Sequence, residues 1–291
     1  MQPLKILFVT PQYPPAIGGT EQLVAGWAEE LARRGHQTTI FTTQSAHQPT
    51  WTGDLPPSEA RNGVQVRRFR QWRRGSRTLR LMNWGYGGFA RTGKTRYEAG
   101  IWLSEGPFSP ALFAALLANT GRYDVVISMS ASTLTSVVSR YAAQRAGVAW
   151  MNTPLLHLEQ MSARRPIAQR YMLASANMTL PLTLIEAQAL QERFGVSGAH
   201  IQVVPPVVSP PANLESSAAG RRQLGLPDDA FIVSFLARKV AYKGFHQTIR
   251  AVSVLAGGES RVMLVSAGPD DSNALPAESQ EEPFRSRWRD L

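Results

Sequence analysis

Apolar runs and helical stripes alternate along this 291-residue chain. The run Ile6, Leu7, Phe8, Val9 is apolar at every position, the pattern of a strand buried on both faces of a parallel sheet. A stretch bearing Pro and Gly follows; a strand cannot continue there, and Gly18 and Gly19 allow a tight turn and close approach to a ligand. After Thr20, a candidate cap, the residues Leu23, Val24, Trp27, Ala28 and Leu31 recur at helical spacing. Arg33 and Arg34 suit the negative end of that helix, and Gly35 ends it. Residues 36–43 read as a second strand, with His36 as a structural residue at its start. The chain therefore opens as βαβ with a long, glycine-bearing first turn.

The alternation persists. Residues 44–62 are polar and rich in Pro, Ser and Thr, a loop pattern, and 64–69 read as a short strand. Helices are expected at 107–118, 134–146 (ended by Gly147) and 183–194 (followed by Gly195), and strands at 123–128 and 148–152. Prolines at 205, 206, 210 and 211 mark the best domain boundary. Beyond it come a strand at 231–236, a helix at 244–256 and a strand at 261–266. This predicts an α/β fold, a parallel sheet with helices on both faces. The division expected is a first domain at 1–208, a linker at 209–217, a partial second domain at 218–270 and a poorly ordered tail at 271–291.

Composition narrows the class. There is no cysteine, which removes disulfides and thiolate metal sites and suits a reducing cytosol. No apolar run reaches the ~18 residues of a spanning helix, and no signal-peptide pattern opens the chain, so a cytoplasmic protein is expected, peripheral to a membrane at most. The net charge of +10 is concentrated: residues 61–97 hold eleven basic side chains and no acidic one. Trp72, Trp84, Tyr86 and Phe89 are interleaved with them. Such a segment is either a solvated basic loop or an attractor of phosphate. Among partners, an anionic membrane surface reached through Arg67, Arg68, Arg70, Arg73, Arg74 and Arg77, or a phosphate-bearing acceptor, ranks first. Nucleic acid ranks behind and is not expected, since no nucleic-acid-binding motif is visible.

The opening resembles the start of family 4 glycosyltransferases, retaining sugar transferases of GT-B architecture. The resemblance lies in Val9 and Thr10, in Tyr13 to Pro15, in Gly18 to Glu21, and in Arg34, Gly35 and His36. It implies a Rossmann-like N-terminal domain followed by an incomplete Rossmann-like C-terminal one. In that family the Gly-Gly loop lies in a cleft near the donor diphosphate. The run from His200 to Pro206 resembles the strand closing the first domain, although Val207, Val208 and Ser209 stand where a glycine and an aspartate are usual. Arg238 followed by Lys243 and Gly244 resembles the donor-phosphate motif, with Ala237 where glycine is commoner. Two cations fixed after a strand and before a helix would stabilise the charge on a departing diphosphate without metal. His157 falls where the family often has a histidine near the sugar; it would orient a hydroxyl or share the acceptor's proton.

The implied reaction moves a hexose from a UDP- or GDP-linked sugar to a lipid-linked or polysaccharide acceptor, with retention and with no cofactor or metal. One absence weighs against it. After Gly268, Pro269, Asp270 and Asp271 the sequence leaves the family pattern, and no glutamate-rich motif follows. A half Rossmann unit would leave apolar surface uncovered. The rival reading is a catalytically incomplete homologue or truncated product that binds a partner through 61–97. Residues 88–95 also satisfy the literal phosphate-loop pattern G-x-x-x-x-G-K-[ST], but no apolar strand precedes them.

Overall fold

The computed structural model describes residues 2–47, 50–73, 75–92, 94, 96–97, 100–101, 106–131, 133–156, 167–207, 215–239, 243–257 and 261–268. The chain divides into two compact units, Met1–Ser209 and Pro210–Leu291.

In the first unit the order is β1 (Lys5–Val9), α1 (Gly19–Arg33), β2 (Gln37–Thr43), β3 (Ser58–Arg61), β4 (Val64–Phe69) and α2 (Ser76–Thr92). Then come α3 (Pro110–Asn119), β5 (Val125–Met129), α4 (Leu134–Ala146), β6 (Ala149–Thr153), α5 (Ile167–Ala174), β7 (Met178–Thr179) and α6 (Leu184–Phe194). The sheet order is β3-β4-β2-β1-β5-β6-β7, and every pairing except β3 with β4 is parallel. Successive side chains of β1 point to opposite faces, so each face has its own core. Leu7 and Val9 pack with Leu112 and Leu116 of α3, Ala142 and Ala143 of α4, and Leu190 and Phe194 of α6. Ile6 and Phe8 pack with Leu23, Val24, Trp27 and Ala28 of α1. The expected stripe of α1 is thus the buried one, and helices cover both faces.

Helix ends follow local chemistry. Ser109 and Thr183 accept hydrogen bonds from Leu112 N and Glu186 N, capping α3 and α6. Gly147 and Gly195 stop α4 and α6 in the left-handed region (φ 67° and 70°), where a side chain would be strained.

Three expectations need correction. The stretch 44–62 is not all loop, because Ser58–Arg61 pairs antiparallel with β4 through backbone bonds that its polar side chains did not announce. The basic stretch after β4 is largely helix α2 rather than loop. Residues 200–206 form no strand: Gln202 N and Val204 N donate to Thr179 O and Pro181 O, but only Ile201 makes a bridge. Pro181, Pro205 and Pro206 have no N–H to extend the ladder.

The second unit contains α7 (Ser217–Gln223), β8 (Phe231–Leu236), α8 (Phe245–Ala256) and β9 (Val262–Ala267), with β8 and β9 parallel. Its core is small: Phe235, Phe245 and Ile249, joined by Ala237 and Leu264. Phe231, Leu236 and Val254 stay exposed. The tail at 271–291 lies outside the described residues.

Candidate functional site

The sheet of the first unit reverses its order at β1, whose neighbours are β2 on one side and β5 on the other. Loops leaving the carboxyl ends of β1 and β5 therefore diverge, and such a point is where open α/β sheets take ligands. The loop after β1 is the one carrying Gly18 and Gly19. It is tied down by its neighbours. Thr43 Oγ1 donates to Pro11 O at 2.7 Å, and Gln12 Nε2 donates to Ser45 Oγ at 3.2 Å. The buried Arg68 guanidinium donates to Pro14 O at 2.7 Å, to Pro56 O at 3.2 Å and to Glu59 Oε1 at 2.6 Å. Tyr13 is fully buried beneath the loop, and burial, with the nearby Glu29 carboxylate adding to it, pushes its hydroxyl up to about 12.

Gly18 and Gly19 stand at the start of α1, and no side chain caps that end. Gly18 is extended (φ 175°), a conformation open to any residue. A Cβ there would meet the end of the Glu21 side chain, which would have to turn aside. Beside Gly19 a Cβ would meet nothing within 4 Å. The open side of the loop is therefore at Gly19, while a buried carboxylate already lies against Gly18.

On the other flank, Ser130 follows β5 in the left-handed region (φ 70°), and Ser136 Oγ donates to its carbonyl at 2.6 Å. Ala131 N donates to Pro154 O at 2.9 Å, joining the loops after β5 and β6. Glu186 fixes the second of these. Its carboxylate is buried and accepts from Leu156 N and Leu182 N, both at 2.8 Å. His157 is the next residue along and lies outside the described residues. Sequence reasoning passed over Glu186, although Thr183 three positions before it is the capping-box spacing.

In the second unit Arg238 lies two residues beyond β8 and is exposed, while Lys239 beside it is buried. Lys243 is exposed and Gly244 (φ 78°) caps α8. Both cations thus occupy the β8–α8 connection, at the carboxyl end of a parallel pair. Gly268 closes the same edge: a Cβ there would strike the Ala237 carbonyl, and its φ of 140° disfavours any side chain.

The basic segment is not uniform. Arg68 is buried and paired with Glu59, which removes it from the proposed membrane-facing set. It follows Val64 and Val66 at strand spacing, so it shares their inward face. The Arg67 guanidinium lies 5.2 Å and 5.6 Å from the Phe41 and Phe69 ring centres. Arg70, Arg73 and Arg77 are exposed; Arg74 lies outside the described residues. The phosphate-loop pattern begins inside α2, where a Cβ on Gly88 would collide with the Tyr97 ring, so this glycine serves helix packing. Among the described residues no three His, Asp or Glu side chains gather to hold a metal ion, and no helix is long and apolar enough to cross a membrane.

Comparison with solved structures defines the class first. The catalytic domain of starch synthase IV from Arabidopsis thaliana, bound to ADP and acarbose, matches 91% of this chain and 69% of its own at TM-score 0.55 and 16% identity. The HepE protein of Anabaena, solved with UDP and glucose, matches 92% of this chain and 61% of its own at TM-score 0.57 and 18% identity. The fold is that of the GT-B glycosyltransferases. Residues 18–207 match the glycosyl transferase 4-like domain, and the chain belongs to that family. Among curated relatives, the D-inositol 3-phosphate glycosyltransferase of Acidothermus cellulolyticus is 29% identical over 285 residues, covering 90% of this chain and 56% of the relative. That of Streptosporangium roseum is 26% identical over 288 residues, covering 89% and 57%. The chain thus spans somewhat over half the length of these relatives.

Proposed function

We propose that this chain takes part in moving a hexose from a nucleotide diphosphate sugar to a hydroxyl acceptor with retention of configuration. The observation that carries the reading is the pair Arg238 and Lys243 in the β8–α8 connection. As the bond from the anomeric carbon to the diphosphate oxygen breaks, negative charge grows on the leaving group. A guanidinium that binds two oxygens and an ammonium acting as a point charge lower that barrier. The acceptor oxygen bonds the anomeric carbon on the face the diphosphate leaves, and its proton passes to the departing phosphate or to His157. In the first unit Gly19 gives the backbone an open approach, and Glu186 fixes the loop leading to His157. The relatives' names and the sugar and nucleotides in the solved neighbours support this reading. The acceptor is lipid-linked or a polysaccharide intermediate, the donor UDP- or GDP-linked, and the setting the cytoplasm.

The test is release of nucleoside diphosphate from UDP- and GDP-sugars offered with mixed acceptors. Turnover is expected, and Arg238→Ala or Lys243→Ala is expected to lower it by about 10²–10³. No release above background would instead favour a catalytically incomplete binding protein.

A further inference from the structure

We propose that the first unit encloses a water-binding site between β6 and β7, built by Asn152 and Thr179. The inference is independent of the transfer reading, because neither residue is assigned to that chemistry. Asn152 and Thr179 are register partners in the parallel pair β6 and β7, and Ser128 of β5 is the partner of Asn152 on its other side. Register partners on neighbouring parallel strands, about 4.8 Å apart, carry their side chains on the same face. Val9, the next partner in this row, belongs to the core covered by α3, α4 and α6, so the row lies on that face. Ser128, Asn152 and Thr179 are all fully buried there.

Asn152 Nδ2 donates to Ser128 Oγ at 2.9 Å and to Ser128 O at 3.2 Å. These two bonds fix the carboxamide and commit its donor side to β5. Its Oδ1 accepts no hydrogen bond among the described residues, and Thr179 Oγ1 makes none. The two do not turn to meet each other, because the amide is held twice and the branched Cβ of threonine restricts its rotamers. Left dry, each would carry the desolvation penalty of an unpaired polar group. Trp150 buries an indole N–H that is also unpaired, on the same face about 6.6 Å earlier along β6. An acceptor, a hydroxyl and a donor gathered on one face suit water, which makes about three hydrogen bonds when buried. The indole N–H would repel a cation, and Asn152 Oδ1 an anion. The bridge also has a mechanical consequence. Strand β7 is two residues long and ends the sheet. Asn177 N donates to Trp150 O at 3.0 Å and Leu180 N to Asn152 O at 2.8 Å, and the water adds a side-chain tie at the same place. From Thr179 the chain runs through Pro181 to Thr183 and Glu186, so the tie steadies the base from which Glu186 holds Leu156.

A high-resolution crystal structure of the full chain tests this first. A water peak within about 2.7–3.2 Å of both Asn152 Oδ1 and Thr179 Oγ1 is expected. A direct Asn152–Thr179 hydrogen bond, or no density between the two atoms, overturns the proposal. Magnetic relaxation dispersion of the solvent then counts long-lived waters in solution. Thr179→Val keeps the side-chain shape and removes the hydroxyl, so it is expected to lose one such water and to speed exchange of the Leu180 amide several-fold. An unchanged water count, or unchanged exchange at Leu180, overturns the proposal as well. Should Thr179→Val fail to fold, the crystal structure of the parent chain decides alone.

Discussion

Arg68 Nη2 sits 2.7 Å from the carbonyl oxygen of Pro14, a residue 54 positions earlier. One guanidinium thus fastens the glycine-bearing loop after β1 to the outer strands β4 and β3. The side chain is fully buried while its partner Glu59 is one-third exposed. Removing the guanidinium leaves two carbonyls and a carboxylate short of a donor. Arg68→Leu is therefore expected to cost about 3 kcal/mol in urea unfolding. Arg68→Lys recovers only part of this, because an ammonium lacks the planar fork that reaches several acceptors.

Tyr13 tests the same region by pH. Its hydroxyl makes no hydrogen bond among the described residues. Tyr13→Phe is therefore expected to stay within about 1 kcal/mol of the parent near neutrality. Alkaline pH separates the two. The folded-state pKa is raised from 10 to about 12, so the unfolded chain ionises first. The contribution is whole below pH 10 and is lost as pH rises toward 12. Tyr13→Phe removes that part of the fall, about 3 kcal/mol, read from urea midpoints against pH.

Glu186 is a positioning residue in this structure. Glu186→Ala strips the acceptors from Leu156 N and Leu182 N, at about 1–3 kcal/mol for each buried donor left unmade. Hydrogen exchange at those two amides is expected to accelerate well before exchange in β5 does. Equal protection in the variant would show that the carboxylate holds neither loop.

Gly268→Ala addresses the second unit alone. The new Cβ would strike the Ala237 carbonyl at an unfavourable φ, so a loss of about 1–3 kcal/mol is expected. Amides of β8 and β9 report it by faster exchange, while those of β1 and β5 stay as they were.

The β/α order was legible because strands such as Val125–Met129 are apolar runs and helices such as α4, which stops at Gly147, end at residues suited to ending them. The strand Ser58–Arg61 was not, since its stability comes from backbone pairing with β4 and its side chains are polar. Helix α2 was hidden by Gly85, Gly87 and Gly88, which lower propensity; the structure uses Gly85 and Gly88 for contact with Tyr97 and Ile101. Charge counting placed Arg68 at the surface, while the alternation Val64, Val66, Arg68 placed it inside, and the alternation governs. Of the site, the placement of Gly18, Gly19, Arg238 and Lys243 between strand and helix was readable from spacing. The buried carboxylate of Glu186 was not, because its role depends on Leu156, thirty positions away in the chain.

The reversal of strand order at β1 has an evolutionary corollary. The connections that leave β1 and β5 splay away from one another, outside the two packed cores. Such connections can lengthen, shorten or change composition while Leu7, Phe8 and their neighbours stay untouched. Descendants of one scaffold can then diverge in what they recognise without renegotiating how they fold.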